Sequence, residues 1–250
     1  MINENAFLGL PINFKDKCLV YPPKVKEVFG NEAFPLYKSL LTLSQEDLED
    51  SFVNEKKDNK DFQVPTPFQY LLIITNKEEK LRAQAEKAFY FFIKQEVTFL
   101  YENESILIGN LEQELERVGN KLDQLVLLTE EDFFDFQNLI RQVMGEKIVE
   151  KPDPNLHPKI KRMKALARYR DKVKAKSGKG LSFMTVMSSI CCMGIGITPL
   201  NIGELTYASV FDILNRYQEK EKYSIDIRSL LAGADRKKVK PKYWIRNLEE

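Results

Sequence analysis

Residues 66–93, TPFQYLLIITNKEEKLRAQAEKAFYFFI, decide the fold. Thr66 followed by Pro67 is a helix start: the hydroxyl caps orphan amides, and proline sits at the first helical position, where its missing N–H costs nothing. Phe68, Leu71, Leu72 and Thr75 recur at helical spacing. After a polar break at Asn76 to Lys80, Leu81, Ala85, Ala88, Phe89, Phe92 and Ile93 do the same. Two adjacent amphipathic helices must bury their apolar faces in a common core, so this stretch is the expected centre of the N-terminal region.

Moving outward to the N-terminus, Lys17-Cys18-Leu19-Val20-Tyr21 is a short β-prone run stopped by Pro22-Pro23. Val25, Val28 and Phe29 then lie at helical spacing before Gly30, and Ala33 to Leu43 continues helically. Ser44 with Asp47 reads as a capping box that restarts a helix through Phe52. Asn54 to Asp61 has no apolar residue and reads as an exposed loop. Moving the other way, Val97 to Tyr101 and Ile106 to Ile108 read as a β-hairpin, with Asn103 suited to the left-handed turn position. Thr129 with Asp132 is expected to cap a helix carrying Phe133, Phe136, Leu139, Ile140 and Val143 and ending at Gly145.

Glu150 to Pro158 holds three prolines, each of which disfavours helix in the residue before it. Four helices are expected beyond: Lys159 to Lys176, Leu181 to Met193, Ile202 to Lys222 with Asn201 and Glu204 as its capping pair, and Ile225 to Leu231 capped by Ser224. Gly233 then precedes a basic tail. The expected fold class is α+β, mainly α, with a mixed α/β N-terminal region over 1–150 that includes a small β-hairpin. A Pro-rich linker over 151–158, an all-helical C-terminal domain over 159–234 and a basic extended tail over 235–250 complete it.

Composition narrows the class. With 43% hydrophobic and 30% charged residues the chain is globular rather than disordered, fibrous or disulfide-built. A formal charge of +1 supplies no global field for nucleic acid or lipid, so any such binding must come from a local patch. Cys18, Cys191 and Cys192 make no paired framework, which points to a reduced, intracellular protein. Met1 to Asn5 lacks the basic start of a signal peptide. The apolar run from Leu181 to Leu200 approaches the roughly 20 residues of a membrane span. Its serines and its breaks at Gly194, Gly196 and Pro199 favour a core helix.

Catalytic and metal chemistry finds little purchase. The one histidine, His157, stands in the proline-rich segment, without the neighbours that a zinc site or a Ser-His-Asp relay requires. Cys191-Cys192 has no second pair at metal spacing. Ser177-Gly178-Lys179-Gly180 lacks the first glycine and the strand of a phosphate loop, and Gly194-Ile195-Gly196 lacks the rest of a dinucleotide fingerprint. No enzymatic activity, cofactor or metal is expected.

Charge segregation is the strongest signal. Ten Lys or Arg against Asp171 make the segment 159–180 +9, and ten Asp or Glu against Arg117 and Lys121 make 102–135 −8. Opposite fields favour oriented association, between the halves or head-to-tail between copies. Lys161, Lys164, Arg168, Arg170 and Lys172 are the candidate partner-binding residues of the basic helix. In the alternative, Ile160, Met163, Leu166, Ala167 and Val173 bury one side and the lysines are a solvated face. A nucleic-acid site would use the same residues on phosphates, but Tyr169 is the only aromatic side chain for base stacking. In the tail, Lys237, Lys238, Tyr243 and Trp244 form a second candidate contact, with intramolecular docking of Trp244 as its alternative.

The wording of the last third carries a resemblance. Arg162-Met163-Lys164-Ala165 and Ala167 to Lys172 precede an apolar helix. Asn201-Ile202-Gly203-Glu204-Leu205-Thr206-Tyr207, Leu230 to Asp235 and Lys242-Tyr243-Trp244 follow. Over residues 159–250 this resembles tail assembly chaperones and related tail morphogenesis proteins of phages of Gram-positive hosts. The resemblance implies a non-enzymatic virion-assembly factor of the host cytoplasm or the virion, binding tape-measure or tail-tube subunits. A structural adaptor of the virion and a nucleic-acid-binding accessory protein are the alternatives.

Overall fold

A computed structural model describes residues 3–52, 62–119, 121–151, 160, 163, 166, 167, 170 and 182–245. The fold is α+β and mainly α. The chain forms two compact units, Met1–Ile148 with Gly203–Glu250, and Val149–Ile202.

In the first unit a short helix, α1 (Glu4–Leu8), precedes a hairpin of β1 (Ile12–Phe14) and β2 (Cys18–Val20). Lys15 and Asp16 take positive φ in its turn. Then come α2 (Val25–Phe29), α3 (Phe34–Thr42), α4 (Gln45–Ser51), α5 (Pro67–Lys77) and α6 (Glu79–Ile93). A three-stranded antiparallel sheet places β4 (Ser105–Ile108) between β3 (Val97–Leu100) and β5 (Leu127–Leu128). Helix α7 (Leu111–Val118) lies between β4 and β5 in sequence, and α8 (Glu130–Val143) follows the sheet.

Sequence and structure agree at the starts of α4 and α5. Ser44 and Asp47 close a reciprocal capping box on α4, and Thr66 and Gln69 close one on α5. The expected faces of α5 and α6 are buried, with Leu81 only half-covered. They meet α8, whose Phe133, Phe136, Ile140 and Val143 are each at most 1% exposed. Phe136 has ring centroids of Phe14 at 5.4 Å, Phe89 at 5.6 Å and Phe133 at 6.4 Å, and Phe133 meets Phe68 at 5.1 Å. Such spacings let edge-to-face and offset arrangements add to simple area burial.

Polar side chains of α8 complete the junction. Gln137 donates to the carbonyl of Leu43 at 2.9 Å and Arg141 donates to that of Thr42. These carbonyls sit at the end of α3, where no further intrahelical amide can reach them and a cation is favoured. Burial pushes the Arg141 pKa below its ordinary value, against the pull of Glu146 and Asp47.

Lys17 pairs with Asp132 and donates to the Leu127 carbonyl at 2.7 Å. Lys15 reaches Asp132 at 3.0 Å and Asp135 at 2.6 Å. The first hairpin is thus fastened to the acidic start of α8.

The second unit contains α9 (Phe183–Cys192), capped by Ser182 accepting from the Thr185 amide at 3.1 Å. Its Val186, Met187 and Ile190 are buried. Residues 160, 163, 166, 167 and 170 are helical.

The last element, α10, runs unbroken from Tyr207 to Leu231. This corrects two expectations. The cap is Thr206, accepting from the Ser209 amide at 3.1 Å, rather than the Asn201 and Glu204 pair. Ser224 caps nothing, because no glycine or proline between Lys222 and Ile225 stops the helix from continuing. Two smaller differences are of the same local kind. The left-handed residue of the 100–105 turn is Glu104 rather than Asn103, and the Thr129 hydroxyl donates to the Asp132 carboxylate at 3.3 Å instead of accepting from the backbone. The expected loop Asn54 to Asp61, His157 and the Gly178 turn lie outside the described residues.

Phe136→Ala should cost about 3–5 kcal/mol in chemical denaturation, as expected for a fully buried ring, whereas the exposed Tyr90→Ala should change stability by at most about 0.5 kcal/mol.

For Asp132, desolvation opposes ionisation, but hydrogen bonds from Lys17 and Lys15 outweigh it and hold the pKa below 3.8. A depressed carboxylate contributes stability that is present above its unfolded value and is lost as pH falls through the folded one. Stability should therefore decline below about pH 4, and Asp132→Asn should flatten that acid limb in denaturation curves between pH 5 and pH 2.

Candidate interaction surfaces

Three backbone contacts set the start of α10. Val25 donates its amide to Leu205 at 2.9 Å, Tyr207 donates to Pro23 at 2.8 Å, and Lys24 forms an antiparallel bridge with Thr206. Glu204 accepts from Lys24 at 2.9 Å and from Lys26 at 2.5 Å. These hydrogen bonds, that from Lys26 foremost, bring the Glu204 carboxyl down to about 2. Gly145, with φ +69°, closes the junction from the other side: a Cβ there would come within 3.1 Å of Ala208 Cα. Hence Ala208, Ser209, Val210 and Leu214 of α10 are buried.

Beyond Leu214 the helix changes character. At 1.5 Å per residue α10 is about 37 Å long, and from Asn215 to Leu231 no residue is buried. Ile225 is 58% exposed and Leu231 83%. Tyr217, Tyr223, Ile227 and Leu230 are half-buried on the helix. Exposed hydrophobic side chains grouped on a surface mark a contact site more often than a lone exposed leucine does.

The tail turns back beside this segment. Asp235 Oδ1 accepts from the Lys237 amide at 2.8 Å, and its carbonyl accepts from Lys238 at 2.9 Å and Val239 at 3.0 Å. The non-helical chain then brings Tyr243 edge-on to Tyr223 at 5.7 Å, with Trp244 half-buried beside it. Lys237 and Lys238 are exposed, and Tyr243 is 56% exposed. The tail therefore presents both its basic run and one face of its aromatic pair to solvent.

In the second unit, Arg170 is helical and exposed, while Lys161, Lys164, Arg168 and Lys172 lie outside the described residues. The apolar face assigned to this helix is not covered: Ile160 is 47% exposed, Met163 63% and Leu166 50%, and Ala167 is exposed too. The alternative in which these side chains are buried core fails for these four, and its fifth residue, Val173, lies outside the described residues. Sequence periodicity finds an apolar face but does not say what, if anything, covers it.

The cysteines are free thiols: Cys18 is buried, and burial pushes its pKa up to about 11, while Cys192 is exposed. Among the described residues no group of His, Cys, Asp and Glu side chains could hold a metal ion, and no helix is long and apolar enough to cross a membrane.

Residues 173–249, which include α9, α10 and most of the tail, match the family model of the YomV second domain. That family is phage-associated, and the match supports a phage origin for the C-terminal region. No curated protein and no solved structure matches the chain.

Tyr223→Ala should release the tail without unfolding the protein. Trypsin should cut more rapidly at its lysines, and the melting temperature should stay within about 2 °C, the range of a surface substitution in a chain of this size. A fall of more than about 4 °C would assign the Tyr223–Tyr243 contact to the fold instead.

Proposed function

We propose that the protein is a non-enzymatic phage virion-assembly factor, a tail assembly chaperone that binds tape-measure or tail-tube subunits in the host cytoplasm before they polymerise. The observation that carries this reading is the outer part of α10: a helix held firmly at Tyr207 to Leu214 that continues to Leu231 with Ile225 and Leu231 uncovered. A chaperone of a polymerising subunit needs such an exposed apolar surface on a rigid support, to occupy the subunit's own contact face. The Tyr243–Trp244 pair adds residue types that dominate interface energies. Phage origin of the C-terminal region and the wording of residues 159–250 support the same reading. The charged groups also have structural work: Lys15, Lys17, Asp132 and Asp135 fasten a hairpin to α8, and Lys24, Lys26 and Glu204 fasten α10 to α2.

The test is co-expression of the tagged full chain with tail-tube and tape-measure proteins of the parent phage. The expected result is a soluble complex that Ile225→Asp/Leu231→Asp weakens at least about tenfold, the loss that follows when about 1.4 kcal/mol of interface energy disappears. Trp244→Ala should reduce capture with an unchanged melting temperature. Failure to capture either subunit overturns the reading. Stoichiometric presence in purified virions overturns it in favour of the structural adaptor.

A further inference from the structure

Arg236, Lys237, Lys238, Lys240 and Lys242 follow the end of α10, with Asp235 as the one acid beside them. That acid is committed to the turn, where its Oδ1 accepts from the Lys237 amide at 2.8 Å. All five cations are exposed, and none of them forms an ion pair among the described residues. They differ in this from Lys15, Lys17, Lys24 and Lys26, each of which a carboxylate already holds. On a chain whose net charge is +1, such an unneutralised run is the local patch that a polyanion needs.

The run leads directly into an aromatic ring. Pro241 fixes its own φ and disfavours helix at Lys240, and the chain is non-helical from 239 to 243. The lysines are therefore spread along the chain instead of wound round a helix. Lys238, Lys240 and Lys242 fall at every second residue, at most about 7 Å apart per step, the scale of one nucleotide in an extended strand. Tyr243 keeps 56% of its surface exposed while Tyr223 holds it at 5.7 Å between ring centroids. A ring with an open face and a fixed position suits a stacked base, because its ordering cost is already met by the fold. We infer that residues 236–243 bind single-stranded nucleic acid, the five cations holding phosphates and Tyr243 stacking on a base. The cations lie outside the part of α10, Ile225 to Leu231, that carries the chaperone reading. A lipid surface would need aromatic rings free to insert, whereas Tyr243 is held by Tyr223 and Trp244 is half-buried. An acidic protein segment would satisfy the lysines but has no use for the ring face.

The experiment is fluorescence anisotropy of the full chain with a labelled oligothymidylate of about 20 nucleotides, long enough for a site of roughly 4–16. Five phosphate contacts on a single strand give an affinity that falls about 100-fold between 50 mM and 200 mM salt, a logarithmic slope of about −3.5. Lys237→Gln/Lys238→Gln/Lys240→Gln/Lys242→Gln should make that slope shallower by about 2.8. Tyr243→Ala should weaken binding at least about fivefold, and Tyr243→Phe should bind as the wild type does, because stacking needs only the ring. All three variants should melt within about 2 °C of the wild type. The lysine variant should still capture tail subunits on co-expression, which separates loss of this site from failure of the chaperone reading. Absence of binding at 50 mM salt overturns the inference, as does binding that the lysine substitutions leave unchanged. Equal affinity for duplex DNA overturns it too, since a paired base cannot stack on Tyr243. Tighter binding to phosphatidylserine vesicles or to polyglutamate overturns it in favour of a lipid surface or an acidic protein segment.

Discussion

Two donors from α8 meet the end of α3: Gln137 and Arg141 satisfy the carbonyls of Leu43 and Thr42, where the helix has run out of amides of its own. Much of the first unit depends on this contact. A guanidinium as buried as Arg141 is tolerated only where acceptors and nearby carboxylates compensate for its lost water. That requirement fixes both the rotation and the height of α8 against α3. With α8 so placed, Phe133 and Phe136 fall between α5, α6 and the first hairpin, and the aromatic rings lock in sequence.

The same helix organises what happens at its two ends. At its start, Asp132 and Asp135 draw in Lys15 and Lys17. Just beyond its last turn, Gly145 lets Ala208 approach closely enough to seat α10. The chain leaves this unit at Ile148 and rejoins it at Gly203. Its return is secured by backbone bonds to Pro23 and Val25 and by the two lysines on Glu204. Both Glu204 pairs lie in solvent, so salt screens them, and the backbone bridge is the firmer of the two ties. The fully buried part of α10 stops at Leu214, and beyond it Ile225 and Leu231 are exposed.

Local signals carried much of the architecture. Thr66-Pro67 and Ser44 with Asp47 marked helix starts that depend only on neighbouring residues, and the period of Phe68, Leu71, Leu72 and Thr75 marked a face that any core would have to bury. The three-residue β1 was not legible: between Pro11 and Asp16 it is too short for a period, and it exists through its pairing with β2. Nor was the start of α10, where Asn201, Glu204 and Thr206 all had capping chemistry. Asn201 went to the Thr198 amide and the Gly196 carbonyl, Glu204 to two lysines, and Thr206 alone was left to cap.

The candidate surfaces divide along the same line. Residue order alone determined the basic and acidic segments, the aromatic tail and the apolar period of residues 160–167, because charge and periodicity are properties of the chain and survive any folding of it. Only the tertiary structure decided which of these groups remain available to a partner. Exposure depends on what packs against a face, and packing is settled by residues far away in sequence. Thus Asp132 is taken by Lys17 from 115 positions away and Glu204 by Lys24 from 180, while Met163 is left exposed.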